Sequence, residues 1–346
     1  MIELIYIQDL YEPKYLQLLK DYYGQEYLSR IERAKWYRDN REYKILVAKE
    51  NGKYIGQSCV CKETAHVNGK IKDIWWGVDT FVLPTGRGKG IGKALQGRLH
   101  KDFDSMSSIW YSRTNGIIKN KCGARPILSQ YLTFYPISSF FSVICRGLLN
   151  KLFHKDYHNH ISILYNKYLP LYYSLSRSNV FSRTISLDSF ISNHLTLINQ
   201  SLERFDFRIK RDECFYKWKL KLNPQITGYH ILEFIKSDNQ ELLGSAIITD
   251  PFIRKTFGIS LNVVMILEVI TYSNQFPIKN ALAEIMKYIG SNYRKVDGVL
   301  TLGNNSEYPS ITFPINGLTL LSNGFTTDQI NSSYLGLIDQ DMEQMI

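Results

Sequence analysis

The sequence predicts a mixed α/β (α+β) chain built as two similar halves. Three observations predict it. Strand-like and helix-like runs alternate along the chain. A glycine-rich basic turn, Arg87 to Gly92, joins a strand to a helix. The pattern around Tyr43 returns around Tyr229. At 346 residues the chain is comfortable for two domains. Its 44% hydrophobic content supports a substantial core, and 21% charged residues argue against wholesale disorder.

Met1 to Asp9 alternates as a first strand, and Tyr15 to Lys35 reads as one or two helices. Tyr43 to Lys49 and Tyr54 to Lys62 are strands joined at Asn51-Gly52, a hairpin dipeptide; Asn68-Gly69 is a second such turn and leads into a strand from Ile74 to Leu83. From Gly90, Ile91, Leu95, Leu99, Phe103 and Met106 recur at helical spacing. Ile109 to Ser112 reads as a short strand, Asn115 to Cys122 as a helix closed by Gly123, and Ile127 to Tyr135 completes the set.

Pro136 to Arg177 is aromatic and basic without strand alternation. A linking helix packed against both halves is the favoured reading, ahead of a membrane-surface or acyl-chain contact through 137–170. The second half then repeats the order strand, hairpin, strand, helix, strand. Tyr229-His-Ile-Leu echoes Tyr43-Lys-Ile-Leu, Val263 to Thr271 stands where Ile74 to Leu83 stood, Ile278 to Tyr293 is a helix and Gly298 to Leu302 a strand. Gly324-Phe325 reads as the end of a short helical segment. No glycine cluster follows Thr271. The expected division is 1–136, a linker at 137–195, and 196–346.

The turn at Arg87–Gly92 is an anion-binding design: uncapped N–H groups, a helix dipole and glycines that allow close approach. Its glycines at Gly88, Gly90 and Gly92 do not spell the dinucleotide fingerprint. Arg87 and Ala94 stand where a Walker loop needs Gly and Ser or Thr. The spelling that fits is Arg-x-x-Gly-x-Gly after Val82-Leu83-Pro84, which resembles the acyl-CoA pyrophosphate loop of the GNAT superfamily of N-acyltransferases.

That resemblance covers about residues 1–136 and, as a copy without the loop, about 196–335. It implies two tandem GNAT-like domains, each a mixed, mostly antiparallel twisted sheet flanked by helices. It implies acyl-CoA as co-substrate, acetyl-CoA first, and an amine-bearing acceptor. Backbone groups of Phe81, Val82 and Leu83 would meet the pantetheine arm. Backbone N–H groups from Arg87, Gly88, Lys89, Gly90, Ile91 and Gly92 would hold the pyrophosphate, with the Arg87 and Lys89 charges helping and Lys93 beside them. Asn115 would contact CoA. Asp79 is the expected base, with Asp73 second, and Trp75 and Trp76 would wall the acceptor pocket. Lys119 occupies the slot of the usual Tyr acid, which leaves Tyr131 or Tyr135 as substitutes, or no acid at all. The segment Arg211 to Leu220, with Trp218-Lys219, resembles the Trp-Arg segment that opens the second domain of tandem members.

Net charge is +10, which suits an anionic partner without naming one. The five cysteines, Cys59, Cys61, Cys122, Cys145 and Cys214, form no metal or disulfide pattern and read as reduced thiols of a cytoplasmic protein. His154, His158 and His160 read as surface residues, and no metal is expected. The N-terminus lacks secretory features and no apolar run reaches spanning length. Two alternatives stand beside the N-acetyltransferase: a tandem aminoacyltransferase using aminoacyl-tRNA, disfavoured by the CoA loop, and a non-catalytic acyl-CoA-binding module. No stable nucleic-acid partner is expected.

Overall fold

The computed structural model describes residues 2–109, 111–129, 132–137, 179–224, 226, 228–256, 259–293, 295–303, 311–313, 319–325, 330 and 332–339. The expected linking helix, the three clustered histidines, Cys145 and Tyr131 lie outside them. No helix among the described residues is long and apolar enough to cross a membrane.

The first half opens with β1 (Ile2–Ile7), α1 (Pro13–Tyr23) and α2 (Tyr27–Asn40). A hairpin of β2 (Tyr43–Glu50) and β3 (Lys53–Val67) follows, then β4 (Lys70–Val82). Both hairpin turns have the left-handed pair that their sequences require: Asn51 and Gly52 at φ 50° and 79°, Asn68 and Gly69 at 51° and 73°. Next come α3 (Ile91–Asp102), β5 (Met106–Ser108), α4 (Arg113–Lys121), β6 (Arg125–Ser129) and β7 (Leu132–Pro136). The sheet is sandwiched. Tyr15, Leu18, Leu19, Ile31 and Ala34 of α1 and α2 bury one face against Ile45, Val47, Cys59 and Phe81. Ile91, Leu95 and Leu99 of α3 bury the other against Leu46, Ala48, Val60 and Met106. Each buried Leu or Ile contributes about 1.5–3 kcal/mol.

The second half contains β8 (Val180–Ile185), α5 (Leu187–Leu202), β9 (Phe207–Ile209) and α6 (Glu213–Tyr216), which runs into a π-turn over Lys217–Lys221. Then come β10 (Tyr229–Lys236), β11 (Leu242–Thr249), β12 (Phe252–Thr256), β13 (Ile259–Thr271), α7 (Ile278–Asn292) and β14 (Gly298–Leu302). Short strands β15 (Ile311–Phe313), β16 (Thr319–Ser322) and β17 (Ser333–Tyr334) end the described chain, before a 3-10 turn at Leu337–Asp339.

The two sheets exchange strands. The first runs β1-β2-β3-β4-β5-β16-β6, so β16 from the second half sits between β5 and β6. The second runs β15-β7-β14-β13-β11-β10-β8, so β7 from the first half pairs with β14. Sheet membership therefore departs from the expected boundaries at 136 and 196: β7 and β8 serve the second sheet from before the second boundary, and α5 straddles that boundary. Trp218 adds a further clamp. It is buried, stacks on Trp36 of α2 at 4.9 Å between centroids, and its carbonyl accepts from the Trp36 indole N–H at 3.0 Å. Lys219 lies over the Trp218 ring at 4.2 Å.

Three local readings are corrected. Helix α3 ends at Asp102, and the strand expected at Ile109 to Ser112 is Met106–Ser108 instead. Ser105 turns the chain with φ +57°, so Phe103 and Met106 reach the same apolar cluster from outside the helix. Gly324-Phe325 follow a strand, not a helix, because Leu321 and Ser322 find partners on both β5 and β6. Strand β3 runs five residues beyond Lys62, since β4 and β9 both pair with its end.

Candidate active site

Strands β4 and β5 are parallel and pair only at Trp75 with Met106 and Trp76 with Ser107. Beyond Trp76 they part, while β4 stays paired to β3 up to Val82. A β-bulge lies on this stretch, between Ser58 and Val60 on β3. The gap opens into a cavity of about 320 Å³. Gly77 to Thr80 of β4 line it from one side, and Ile109, Tyr111, Ser112, Asn115 and Lys119 from the other. Tyr22, Tyr23, Arg30 and Arg33 of α1 and α2 close a third side.

The glycine-rich turn sits at the end of the same strand. Gly88 and Gly90 are left-handed, at φ 80° and 76°. Gly90 is the N-cap of α3, no side chain caps it, and the first helical bond runs from Ala94 N–H to Gly90 C=O at 3.0 Å. The N–H groups of Ile91, Gly92 and Lys93 therefore have no intrahelical acceptor, which suits an anion. Gly92 is small for another reason: a Cβ there would stand 3.1 Å from Ile118 of α4. Neither basic side chain of the turn projects freely. Lys89 pairs with Glu50 at 2.7 Å, and the Arg87 Nε donates to the Val82 carbonyl at 3.4 Å. That carbonyl thus faces the turn.

Asp79 and Phe81 share the α1–α2 face. Phe81 is buried and stacked on Tyr22 at 3.8 Å, while Val82 packs toward α3 and Leu83 joins the α1–α2 core. The Asp79 carboxylate accepts from the Tyr23 hydroxyl and from Gln57 Nε2, each at 3.0 Å, and pairs with buried Arg33 at 3.0 Å. The other expected residues are elsewhere. Asp73 lies on the same strand, roughly 20 Å away at 3.3 Å per residue, and pairs with Lys62 at 2.9 Å. Trp75 packs on Phe103 beside α3, and Trp76 is buried in the core shared by the two halves, so neither walls the cavity. Tyr135 is buried in the second sheet's core. Asn115 does line the cavity.

Lys119, which by sequence occupies the slot of the usual Tyr acid, lines the cavity. It is buried, its ammonium donates to Ser108 Oγ at 2.7 Å, and burial pushes it down to about 8. Tyr22, Tyr23 and Arg33 were missed. Arg33 carried a signal: it is buried on the same helix as Ile31, Ala34 and Tyr37, an unusual place for a guanidinium.

The second half repeats this frame and closes it. Strands β13 and β14 are parallel and pair from Val263 with Gly298 to Met265 with Leu300 before parting. Aligned on Gly56 and Gly244, Met265 corresponds to Trp76 and Glu268 to Asp79, with a bulge close by. Glu268 is held by Arg211 at 2.7 Å and the Tyr216 hydroxyl at 2.6 Å. Here the gap is filled by the chain itself. The Tyr334 hydroxyl donates to the Val269 carbonyl at 3.0 Å. A Cβ on Gly336 would stand 2.7 Å from the Leu267 carbonyl, and Asp339 joins the Arg211 pair at 2.7 Å.

Residues 5–103 match the model of the acetyltransferase (GNAT) family. A search of curated proteins finds no match. Among solved structures, the fold is similar to a probable N-acyltransferase from Enterococcus faecalis V583. That pair has 12% identity and a TM-score of 0.58, over 93% of this chain and 72% of that one. It is similar to Saccharomyces cerevisiae N-myristoyltransferase with bound myristoyl-CoA, at 13% identity and a TM-score of 0.52, over 92% and 77%. A tandem GNAT protein from the clavulanic acid biosynthesis pathway matches at 11% identity and a TM-score of 0.52, over 93% and 98%. The fold is that of the GNAT superfamily of acyltransferases. Residues 5–103 carry its family domain, and the chain has the tandem arrangement. The GNAT fold binds acyl-CoA, and no cluster of metal-ligating side chains occurs among the described residues.

Proposed function

We propose that the chain transfers an acetyl group from acetyl-CoA to a primary amine, by direct attack in a ternary complex in the first domain. One observation carries this reading: the β4–β5 gap is open and adjoins an uncapped helix N-terminus, whereas the equivalent β13–β14 gap is filled by residues 334–339. The pyrophosphate lies on the N–H groups of Ile91, Gly92 and Lys93. The pantetheine arm follows the free edge of β4 from Leu83 toward Gly77. The thioester then reaches the cavity, whose polar walls and small volume suit a short acyl group. The amine enters from the side of Tyr22, Tyr23 and Arg33, and holding it against the carbonyl supplies much of the rate.

In this reading Asp79 positions α1 and α2 through Arg33 and Tyr23. Glu268 makes the matching bonds in a half that has no phosphate turn, so an acid at this place serves the scaffold. Asp79→Asn is therefore expected to lower the melting temperature, with turnover reduced by no more than about tenfold; the loss a removed general base gives is on the order of 100-fold or more. Loss of that size at unchanged melting temperature would restore Asp79 as the base.

Calorimetric titration with acetyl-CoA, followed by mass analysis of a panel of primary amines, tests the function. The expected result is one acetyl-CoA site per chain and a gain of one acetyl group on an accepted amine. Two equivalent sites would contradict the closed second gap. Binding without transfer to any amine would favour an acyl-CoA-binding module.

A further inference from the structure

Lys119 is the one buried lysine that lines the cavity, and among the described residues no carboxylate lies within ion-pair distance of it. A buried ammonium without a counter-ion costs folding free energy, so its position calls for an explanation other than stability. The chain places it with care. Helix α4 ends in a Schellman motif: Ala124 N–H donates to Lys119 C=O and Gly123 N–H to Asn120 C=O, both at 3.1 Å, with Gly123 at φ +99°. This fixes the last turn, and Lys119 with it. On the facing strand, residue 77 is glycine, and a Cβ there would stand 2.9 Å from the Lys119 Nζ. Ser108 Oγ, at the end of β5, accepts one of its three N–H bonds. Nζ is thereby held at the root of the gap, between the last paired residues of β4 and β5 and the cavity.

We propose that Lys119 donates the proton to the sulfur atom that leaves when the thioester is cleaved. This rests on the acyl-transfer reading above. The neutral amine nitrogen attacks the carbonyl carbon and the C–N bond forms. The C–S bond breaks and its electron pair goes to sulfur. The Lys119 ammonium passes a proton to that sulfur and becomes a neutral amine. The proton lost by the new amide nitrogen goes to solvent, and Lys119 regains one from solvent.

The surroundings give this step a pH signature. Burial pushes Lys119 down to about 8. His100 of α3 is pushed down to about 4 by burial and by the Lys119 charge, so it is neutral throughout the working range. Across the cavity stand the Asp79–Arg33 pair, Arg30, and Tyr23, whose hydroxyl is pushed far above its ordinary range by burial and the Asp79 charge. Tyr111, ahead of the same helix, lies 6.0 Å from the ammonium. As an acid Lys119 works when protonated, so kcat holds below about pH 8 and falls as pH rises through it.

The test uses the full chain, acetyl-CoA as donor, hydroxylamine as a minimal acceptor, and release of the CoA thiol as readout. Lys119→Met is expected to lower kcat on the order of 100-fold, the ordinary contribution of a proton donor, to leave the KM for acetyl-CoA within about threefold, and to lose the alkaline limb near pH 8. With acetyl thiophenol, whose thiolate leaves without a proton, the deficit is expected to shrink to about threefold or less. The wild type alone reports as well: its alkaline limb should be present with acetyl-CoA and absent with the aryl thioester. An equal loss with both donors, an unchanged kcat, or a limb that persists in Lys119→Met overturns the proposal while leaving acyl transfer standing. A wild type that binds acetyl-CoA but never transfers overturns the acyl-transfer reading itself, and this step with it.

Discussion

Arg211→Ala is expected to lower the unfolding free energy by about 3–5 kcal/mol, the usual effect of removing one member of a buried ion pair. The guanidinium is fully buried and bonds two carboxylates, Glu268 through Nε and Asp339 through NH2, each at 2.7 Å. Its NH1 donates to the Ile209 carbonyl at 3.1 Å, and Phe215 lies under it at 4.4 Å. Truncation leaves two buried acids facing each other with only the Tyr216 hydroxyl and backbone donors to satisfy them. Urea unfolding of wild type and variant measures the loss. Arg211→Lys should recover only part of it, because an ammonium cannot reproduce the forked geometry. A loss below about 1 kcal/mol would mean that the triad contributes no more than a surface pair. Acyl-CoA affinity of the folded fraction should be unaffected, since the triad belongs to the closed gap.

The second large effect is on binding. Gly90→Val is expected to weaken acetyl-CoA binding on the order of 100-fold, with little change in melting temperature. Gly90 is left-handed at φ +76°, yet a Cβ there meets no protein atom within 4 Å. The substitution therefore strains the backbone without colliding with the fold. A β-branched residue relieves a cost of about 1–3 kcal/mol by leaving that conformation, and the N–H groups that follow lose their common aim. Calorimetry with acetyl-CoA measures the change. An unaltered dissociation constant would show that the turn does not hold the phosphates.

What the sequence revealed divides along physical lines. Both hairpins were legible because Asn-Gly dictates its own backbone. The glycine-rich turn was legible as a strand-to-helix connection because its glycines sit directly before a helix start. The repeat was legible because pairs such as Tyr43 and Tyr229 begin equivalent strands. Side-chain direction over long range was not. Trp75 and Trp76 flank the fork of the strands, but their rings pack on Phe103 and into the shared core, which only the tertiary partners decide. The Asp79 network needed Arg33 from a helix whose distance to β4 no local pattern encodes. Lys119 was legible as an oddity of type and opaque as to burial, since a lysine in a short basic helix ordinarily faces water. The strand exchange left no sequence signal, because β7 and β16 are short apolar runs that would satisfy either sheet.

That exchange bears on how the protein is made. Ser107 on β5 meets Ser322 on β16, hydroxyl to hydroxyl at 3.1 Å, across 215 residues of chain. During synthesis β5 and β6 emerge early and wait beside an empty lane until β16 leaves the ribosome, roughly 10–40 s later at ordinary elongation rates. The first sheet is thus finished almost last, although most of it is encoded first. A chain broken off after β14 would carry the whole glycine-rich turn and an unfinished sheet around it. Completion of the first sheet is thereby tied to the synthesis of a strand more than 200 residues downstream of β5.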